Sequence, residues 1–574
     1  MAIPPKLPPV SPRDTVVALA AVALLWALTL LLVPPRGGFP LNDDWIYAQA
    51  VRDWIDTGHY TGHPFTSASL VGQACWGKAF SSLFGFSFET LRWSTLALWL
   101  AAALAVSRAA LELRAAPFAA ALAGGLVIAN PIAMNLGYTF MTDVPFIAAC
   151  ALAGVFYLRA LADPRPSLIL AGSLFAAWGL LIRQFAVLLP LAFLLATTPL
   201  LYRIGRREST KIILPALLPL FAAWGLLQYL APRTEKLNHP WMPYVLGESA
   251  PEIAAGALKF CGVAMVYIGL FALPLVAAAA FAWLRARGSR ARRLWGLTAT
   301  LLLVAVTVAW SAPRRIPFLG NMLFDTGVGP LTLRGDVIGS VYWRPVSIGD
   351  AWWLPTILGI AAAAWMLAGW LGWLVLIPGD GRRPLRDPRR RRHAFLMLWA
   401  ALMIGALYHP GLPVRFDRYF LGALVPVLLL LAAAAPRARD LRLYAVQLAL
   451  AAALYTFSLI SLQDYLAWNS ARWHTLQRLM AGGVPPENID GGYEFNGWYT
   501  SPHFIARDGD RAFYHAGPLG WWVLGDEWAI AGQPRAGYNV VETIPYHSWL
   551  AGNNAELFLL RRNSQGDAVD PVPE

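Results

Sequence analysis

The chain has 574 residues, 57% of them apolar and only 14% charged, with a formal net charge of +13. Water-soluble domains carry about 25% charged residues, so this composition excludes an ordinary soluble globule, whose surface would be one large apolar patch. It also argues against a nucleic-acid partner, because the basic residues sit in short clusters between apolar runs and not on one polar face.

The first apolar run, Thr15 to Val33, follows Lys6 and Arg13 and has no small-x-small cleavage pattern after it. It predicts a retained membrane helix with a cytoplasmic N-terminus. Further runs fall near 92–107, 117–133, 144–160, 167–182, 184–201, 212–231, 256–284, 294–311, 352–377, 394–409, 418–435 and 443–462, about thirteen spans in all. The stretch from Ser167 to Leu201 is too long for one upright helix, and Arg183-Gln184 interrupts it. Splitting it there puts Arg203, Arg206 and Arg207, the cluster from Arg285 to Arg293 and the cluster from Arg382 to Arg392 on the cytoplasmic side, as the positive-inside bias requires. Without the split that bias collapses. The three cysteines show no metal-ligand spacing and predict no structural disulfide.

The loop from 34 to 91 then lies outside. Apolar residues recur at helical spacing from Trp45 to Thr57, and a second such piece runs from Ser67 to Phe84. Both predict helices in the membrane interface. Asp43-Asp44 opens the first of them. Asp43 could simply cap it, but a carboxylate pair at the lipid–water boundary is also well placed for chemistry on a membrane-bound substrate. The next outside loop ends in Thr142-Asp143-Val144-Pro145, where Asp143 could cap the following helix; acids at that depth are more often functional or paired. Arg183 breaks a continuous apolar run, a costly position without an anionic partner such as phosphate. Arg418-Tyr419 begins a late span, where the simple alternative is a snorkelling anchor in the aromatic belt. His59 and His63 lie in the same loop; Asp43, Asp44 and His59 could form a metal site, but interfacial histidines are more often plain surface residues, and no metal or cofactor is expected.

The tail from Gln463 predicts a small extracytoplasmic α/β domain at 463–574, after a membrane domain at 1–462. A helix is expected over Arg472–Met480 and strands at Trp521–Leu524 and Val540–Ile544. The tail tryptophans (Trp498, Trp521, Trp522, Trp528 and Trp549) read first as a domain core and second as sugar-stacking faces. The run from Asn488 to Trp498, with its paired glycines, matches no assignable role.

Taken together, Asp43-Asp44-Trp45-Ile46-Tyr47, Asp143 in Thr-Asp-Val-Pro, Arg183-Gln184, and Arg418-Tyr419 with Pro426 downstream resemble the GT-C integral-membrane glycosyltransferases. The resemblance is to the superfamily of protein O-mannosyltransferases and lipid A aminoarabinose transferases. It implies an all-α polytopic fold with interfacial helices in the first outside loop, and a multi-pass position in the plasma (inner) membrane. It implies a polyprenyl-phosphate sugar donor, a lipid, glycan or protein acceptor, and inversion at the anomeric carbon. Carried over residue by residue, Asp43, Asp44 and Asp143 are the expected catalytic carboxylates, with Asp43 the expected general base for the acceptor hydroxyl and Asp44 and Asp143 orienting substrate or balancing the arginines. Tyr47, Arg183, Gln184, Arg418 and Tyr419 are the expected substrate contacts. The aminoarabinose transferases have a Lys-Pro in the second interfacial helix that is missing near Ser69–Gln73; Lys78 lies nearby, off that register, and is carried over as a substrate contact. The competing expectation is a transporter or flippase for lipid-linked sugars. Such a protein would show repeated halves with charges near the midplane, and no repeat is visible.

Overall fold

The computed structural model describes residues 11–66, 68–230, 249–285, 296–302, 315–334, 349–375, 387–408, 416–436, 440–513, 517, 519–550 and 552–563. Among these, nine helices are long and apolar enough to cross a membrane, or ten if one bent pair counts as a single span. The expected spans near 294–311 lie largely outside the described residues, so the expectation of about thirteen is matched only in part.

The membrane part begins with α1 (Pro12–Leu32). Two amphipathic helices follow, α2 (Asp44–Thr57) and α3 (Val71–Phe84). Then come α4 (Phe88–Glu112), α5 (Pro117–Ala129) and α6 (Pro131–Gly137). The last two are bent by 63° at Asn130-Pro131. Pro131 lacks the amide that would continue the ladder, and the Asn130 side chain accepts from the Ala133 amide at 2.9 Å to start a new helix. The bend turns the chain back toward α7 (Asp143–Ala160). Small residues let these helices approach closely: a Cβ on Gly124 of α5 would lie 2.6 Å from the Ala103 carbonyl of α4.

The expected break at Arg183 is present. Helix α8 (Pro166–Leu180) stops, Arg183 adopts an extended conformation, and a 3-10 turn (Gln184–Val187) leads into α9 (Leu188–Leu201). Helix α10 (Arg206–Leu230) follows. The run read as one span over 256–284 is instead two helices, α11 (Ala250–Phe271) and α12 (Leu273–Arg285), parted at Ala272 just before Pro274. After a two-strand hairpin, β1 (Leu323–Phe324) and β2 (Gly327–Val328), come α13 (Trp353–Val375), α14 (Pro388–Leu407) and α15 (Leu421–Ala434).

Helix α16 runs unbroken from Leu441 to Ala481, 41 residues. The separate helix expected at 472–480 is its upper end, and the expected division at 462/463 falls inside it, because no glycine or proline interrupts this stretch. The tail adds β3 (Ile489–Asp490), α17 (Tyr493–Tyr499), α18 (Ser501–Asp508), β4 (Trp528–Ala531), β5 (Tyr538–Ser548) and β6 (Gly552–Arg562). Its sheet has the order β3-β4-β6-β5, with only the β3–β4 pair parallel. The strand expected at Trp521–Leu524 is a turn, since Gly520, Trp521 and Trp522 all take positive φ. Asp464 pins the β5–β6 connection to α16 by accepting from the Ser548 hydroxyl and the Trp549 amide, both at 2.6 Å. Of the tail tryptophans only Trp522 is fully buried, and Trp549 is exposed, so the reading of all five as core is corrected. The tail core is continuous with the membrane part: Trp45 of α2 packs edge-on against Trp522 and Tyr493.

Candidate active site

Four charged side chains from four separate segments meet at one end of the helices. Asp43 occupies the N-cap position of α2 yet makes no side-chain cap, so the capping alternative is not what its carboxylate does. Its Oδ2 lies 3.4 Å from Arg418 Nη2, and its Oδ1 accepts from the Tyr493 hydroxyl at 2.9 Å. Asp143, the first residue of α7, places Oδ2 3.1 Å from Arg183 Nη2 and 4.0 Å from Arg418 Nε. Arg183 also donates through Nε to Thr142 Oγ1 at 2.7 Å. Tyr419 lies beneath both guanidiniums, its ring centre 5.4 Å from Arg183 and 5.7 Å from Arg418.

The Arg418 side chain is only 5% exposed and that of Asp143 3%, whereas Asp43 remains 25% exposed. Among the described residues neither Nε nor Nη1 of Arg418 has a hydrogen-bond partner, although both are buried. The contact of Asp143 Oδ2 with the guanidiniums is an ion pair by distance without an aligned N–H bond. Buried donors left unpaired cost about 1–3 kcal/mol, more for charged groups, so an acceptor placed against them would be stabilised. Arg418 is fixed by its neighbour. Asp417 accepts from the Met322 and Leu323 amides, the latter at 2.7 Å, and so ties the hairpin to the start of α15.

A narrow groove of about 10 Å³ opens from this cluster between α7, α14 and α15. Phe146, Ile147, Phe185, Met403, Leu407 and Leu421 line it, and Asp143, Arg183 and Arg418 close one end. That volume holds no more than about one water, so a hydrocarbon chain would enter only as these side chains swing aside.

Tyr47 lies one turn after Asp43 on the same helix face. Its phenol is buried and pushed up, first by burial and next by the Asp43 charge. Three expected site residues are not part of the cluster. Asp44 points inward: Oδ1 accepts from the Leu41 amide at 2.7 Å and Oδ2 from the Phe140 amide at 3.3 Å, fastening the first loop to the segment that carries Asp143. Burial pushes its carboxyl up against the pull of these donors and Arg92. Both oxygens of Asp44, an expected catalytic residue, are thus engaged in fastening the loop. Lys78 donates to the Trp54 carbonyl at 3.3 Å and covers the Trp54 ring, which ties α3 to α2 and leaves it no place among the carboxylates. Gln184 is exposed and does not line the groove. His59 is exposed as expected, but His63 is buried, its Nδ1 accepting from the Phe65 amide. Burial pushes the His63 imidazole down to about 3.

Reading the sequence missed the contribution of the tail. Glu494 accepts from the Asn42 amide at 2.8 Å, from the Thr332 hydroxyl at 2.6 Å and from Arg472 Nη2 at 2.8 Å, with both members of the ion pair fully buried. Arg334 adds contacts to Asp490 at 3.0 Å and Asp526 at 3.1 Å. The paired glycines of the unassigned run were the available signal. A Cβ on Gly492, at φ +90°, would lie 2.4 Å from the Thr332 carbonyl, and one on Gly497 2.4 Å from the Trp45 ring.

Residues 75–228, which include Asp143 and Arg183, match the family model described as dolichyl-phosphate-mannose-protein mannosyltransferase. The motif resemblance drawn from the sequence is to the same superfamily. No curated protein sequence matches the chain. Among solved structures, ArnT of Cupriavidus metallidurans bound to undecaprenyl phosphate aligns at 13% identity and TM-score 0.37, over 96% of this chain and 98% of that one. Its apo form aligns at TM-score 0.36. The arabinosyltransferase EmbB of Mycobacterium smegmatis aligns at 16% identity and TM-score 0.31, over 71% of this chain and 43% of that one.

Proposed function

We propose, from the family match over residues 75–228 and the chemistry around Asp43, that this chain is an integral-membrane glycosyltransferase. It moves a sugar from a polyprenyl-phosphate carrier to an acceptor hydroxyl on the extracytoplasmic side. The observation that carries this reading is the meeting of Asp43 and Asp143 with Arg183 and Arg418, with unpaired Arg418 donors beside an apolar groove.

In this reading the carrier phosphate lies against Arg418 and Arg183, with the first isoprene units in the groove. The acceptor oxygen attacks the anomeric carbon, and the bond from that carbon to the phosphate oxygen breaks. Attack opposite the leaving group inverts the centre. The electron pair of the broken bond goes to the phosphate, where the guanidiniums stabilise the growing charge. The acceptor proton goes to Asp43, the more exposed of the two carboxylates. Asp143 holds Arg183 and Arg418 in place and balances them. Tyr419 and Tyr47 enclose the cluster and keep water from competing as acceptor.

Replacing Asp43 by Asn removes the base while keeping shape. Transfer from a polyprenyl-phosphate sugar is expected to be abolished, with expression and membrane insertion unchanged. Transfer by Asp43→Asn at a rate near that of the unaltered protein would refute the assignment. Movement of lipid-linked sugar across vesicles without cleavage of the donor would favour a flippase instead.

A further inference from the structure

We propose that the C-terminal segment completes the active centre, with Tyr493 as the positioning residue that holds the Asp43 carboxylate through its phenol. The proposal rests on the reading of Asp43 as the base. A carboxylate that takes a proton in a transition state must present one lone pair to the acceptor, and small errors of aim are costly in rate. Asp43 stands at the end of a loop and makes no cap bond, so its own element does not fix its rotamer. Among the described residues two side chains donate to it. Arg418 reaches Oδ2 at 3.4 Å, near the limit for a hydrogen bond, whereas the Tyr493 hydroxyl reaches Oδ1 at 2.9 Å. The phenol is the shorter hold, and it leaves Oδ2, on the Arg418 side, as the oxygen nearest the reacting centre.

Tyr493 is itself firmly placed. Its amide donates to the Thr332 carbonyl at 2.8 Å, and its ring packs against Trp45, Trp521 and Trp522. Two adjacent tail residues grip two adjacent loop residues: Tyr493 takes the side chain of Asp43, and Glu494 takes the amide of Asn42. Burial and the Asp43 charge push the phenol well up, so it remains a donor at any ordinary pH. A tyrosine that merely filled space would need its ring and not its hydroxyl.

The test uses the full-length protein in proteoliposomes, with radiolabelled polyprenyl-phosphate mannose as the donor and Asp43→Asn measured beside Tyr493→Phe. Tyr493→Phe keeps the ring and loses only the hydroxyl. We expect its kcat to fall about tenfold with KM for the donor unchanged and no fall in the unfolding midpoint beyond that of one lost hydrogen bond, and Asp43→Asn to be inactive. An undiminished kcat for Tyr493→Phe beside an inactive Asp43→Asn overturns the positioning role and leaves the base assignment standing. Full activity in both variants overturns the base assignment and this proposal with it. A raised KM for the donor with kcat unchanged in Tyr493→Phe overturns the proposal in favour of a role in substrate binding.

Discussion

Arg418 shows how much of the proposed chemistry depends on the shape of a charge. Its guanidinium faces Asp43 through Nη2 and Asp143 through Nε, and its buried Nε and Nη1 make no hydrogen bond among the described residues. Lysine would keep the charge but not the planar fork. Arg418→Lys should therefore fold and insert normally while kcat drops by about 10²–10³, the usual loss when a preorganised donor to developing charge is removed. Donor turnover at saturating acceptor measures it, and a change confined to KM would contradict this role. His63 makes a different prediction. Its imidazole sits at about 3 in the fold against an ordinary 6.5. Between those values the unfolded chain binds a proton that the fold does not, so the contribution of His63 is complete above about pH 6.5 and is lost as pH falls toward 3. The unfolding midpoint of the unaltered protein should fall more steeply over that window than that of His63→Phe, which keeps an aromatic ring between Trp45 and Phe65.

At the scale of elements, the sequence resolved what membrane physics dictates. The apolar runs within the described residues became helices, Arg183 parted α8 from α9, and the amphipathic helices α2 and α3 formed where the spacing placed them. Asp43, Asp143, Arg183 and Arg418 were also legible, because a charge beside an apolar run has few uses. The local pattern could not say which way a side chain turns. Asp43 and Asp44 are equivalent as text, and it takes the Leu41 amide together with the Phe140 amide, 96 residues on, to draw Asp44 inward. The docking of α17 was equally hidden, since close approach shows in sequence only as glycine. Gly492→Ala tests that approach. Its positive φ and the 2.4 Å clash with the Thr332 carbonyl predict a loss of more than about 2 kcal/mol and early protease cleavage within the tail.

For the whole molecule, the first loop, the membrane helices and much of the tail share one apolar core, so the boundary expected at 462/463 marks no break in the packing. The sequence suggested that boundary because hydropathy falls at Gln463, and hydropathy reports the surrounding solvent without marking the end of a helix. Helix α16, at 1.5 Å per residue, is about 60 Å long, roughly twice the thickness of a bilayer core. Its upper half is thus a mast that fixes both the height and the heading of everything mounted on it. One alanine inserted after Leu466 would raise the tail by about 1.5 Å and rotate it by about 100°, swinging Tyr493 off Asp43 while leaving every residue of both intact. Such a variant should reach the membrane and be unable to transfer sugar, which radiolabelled donor turnover would reveal: in this protein, phase along a rod is as much an active-site property as any carboxylate.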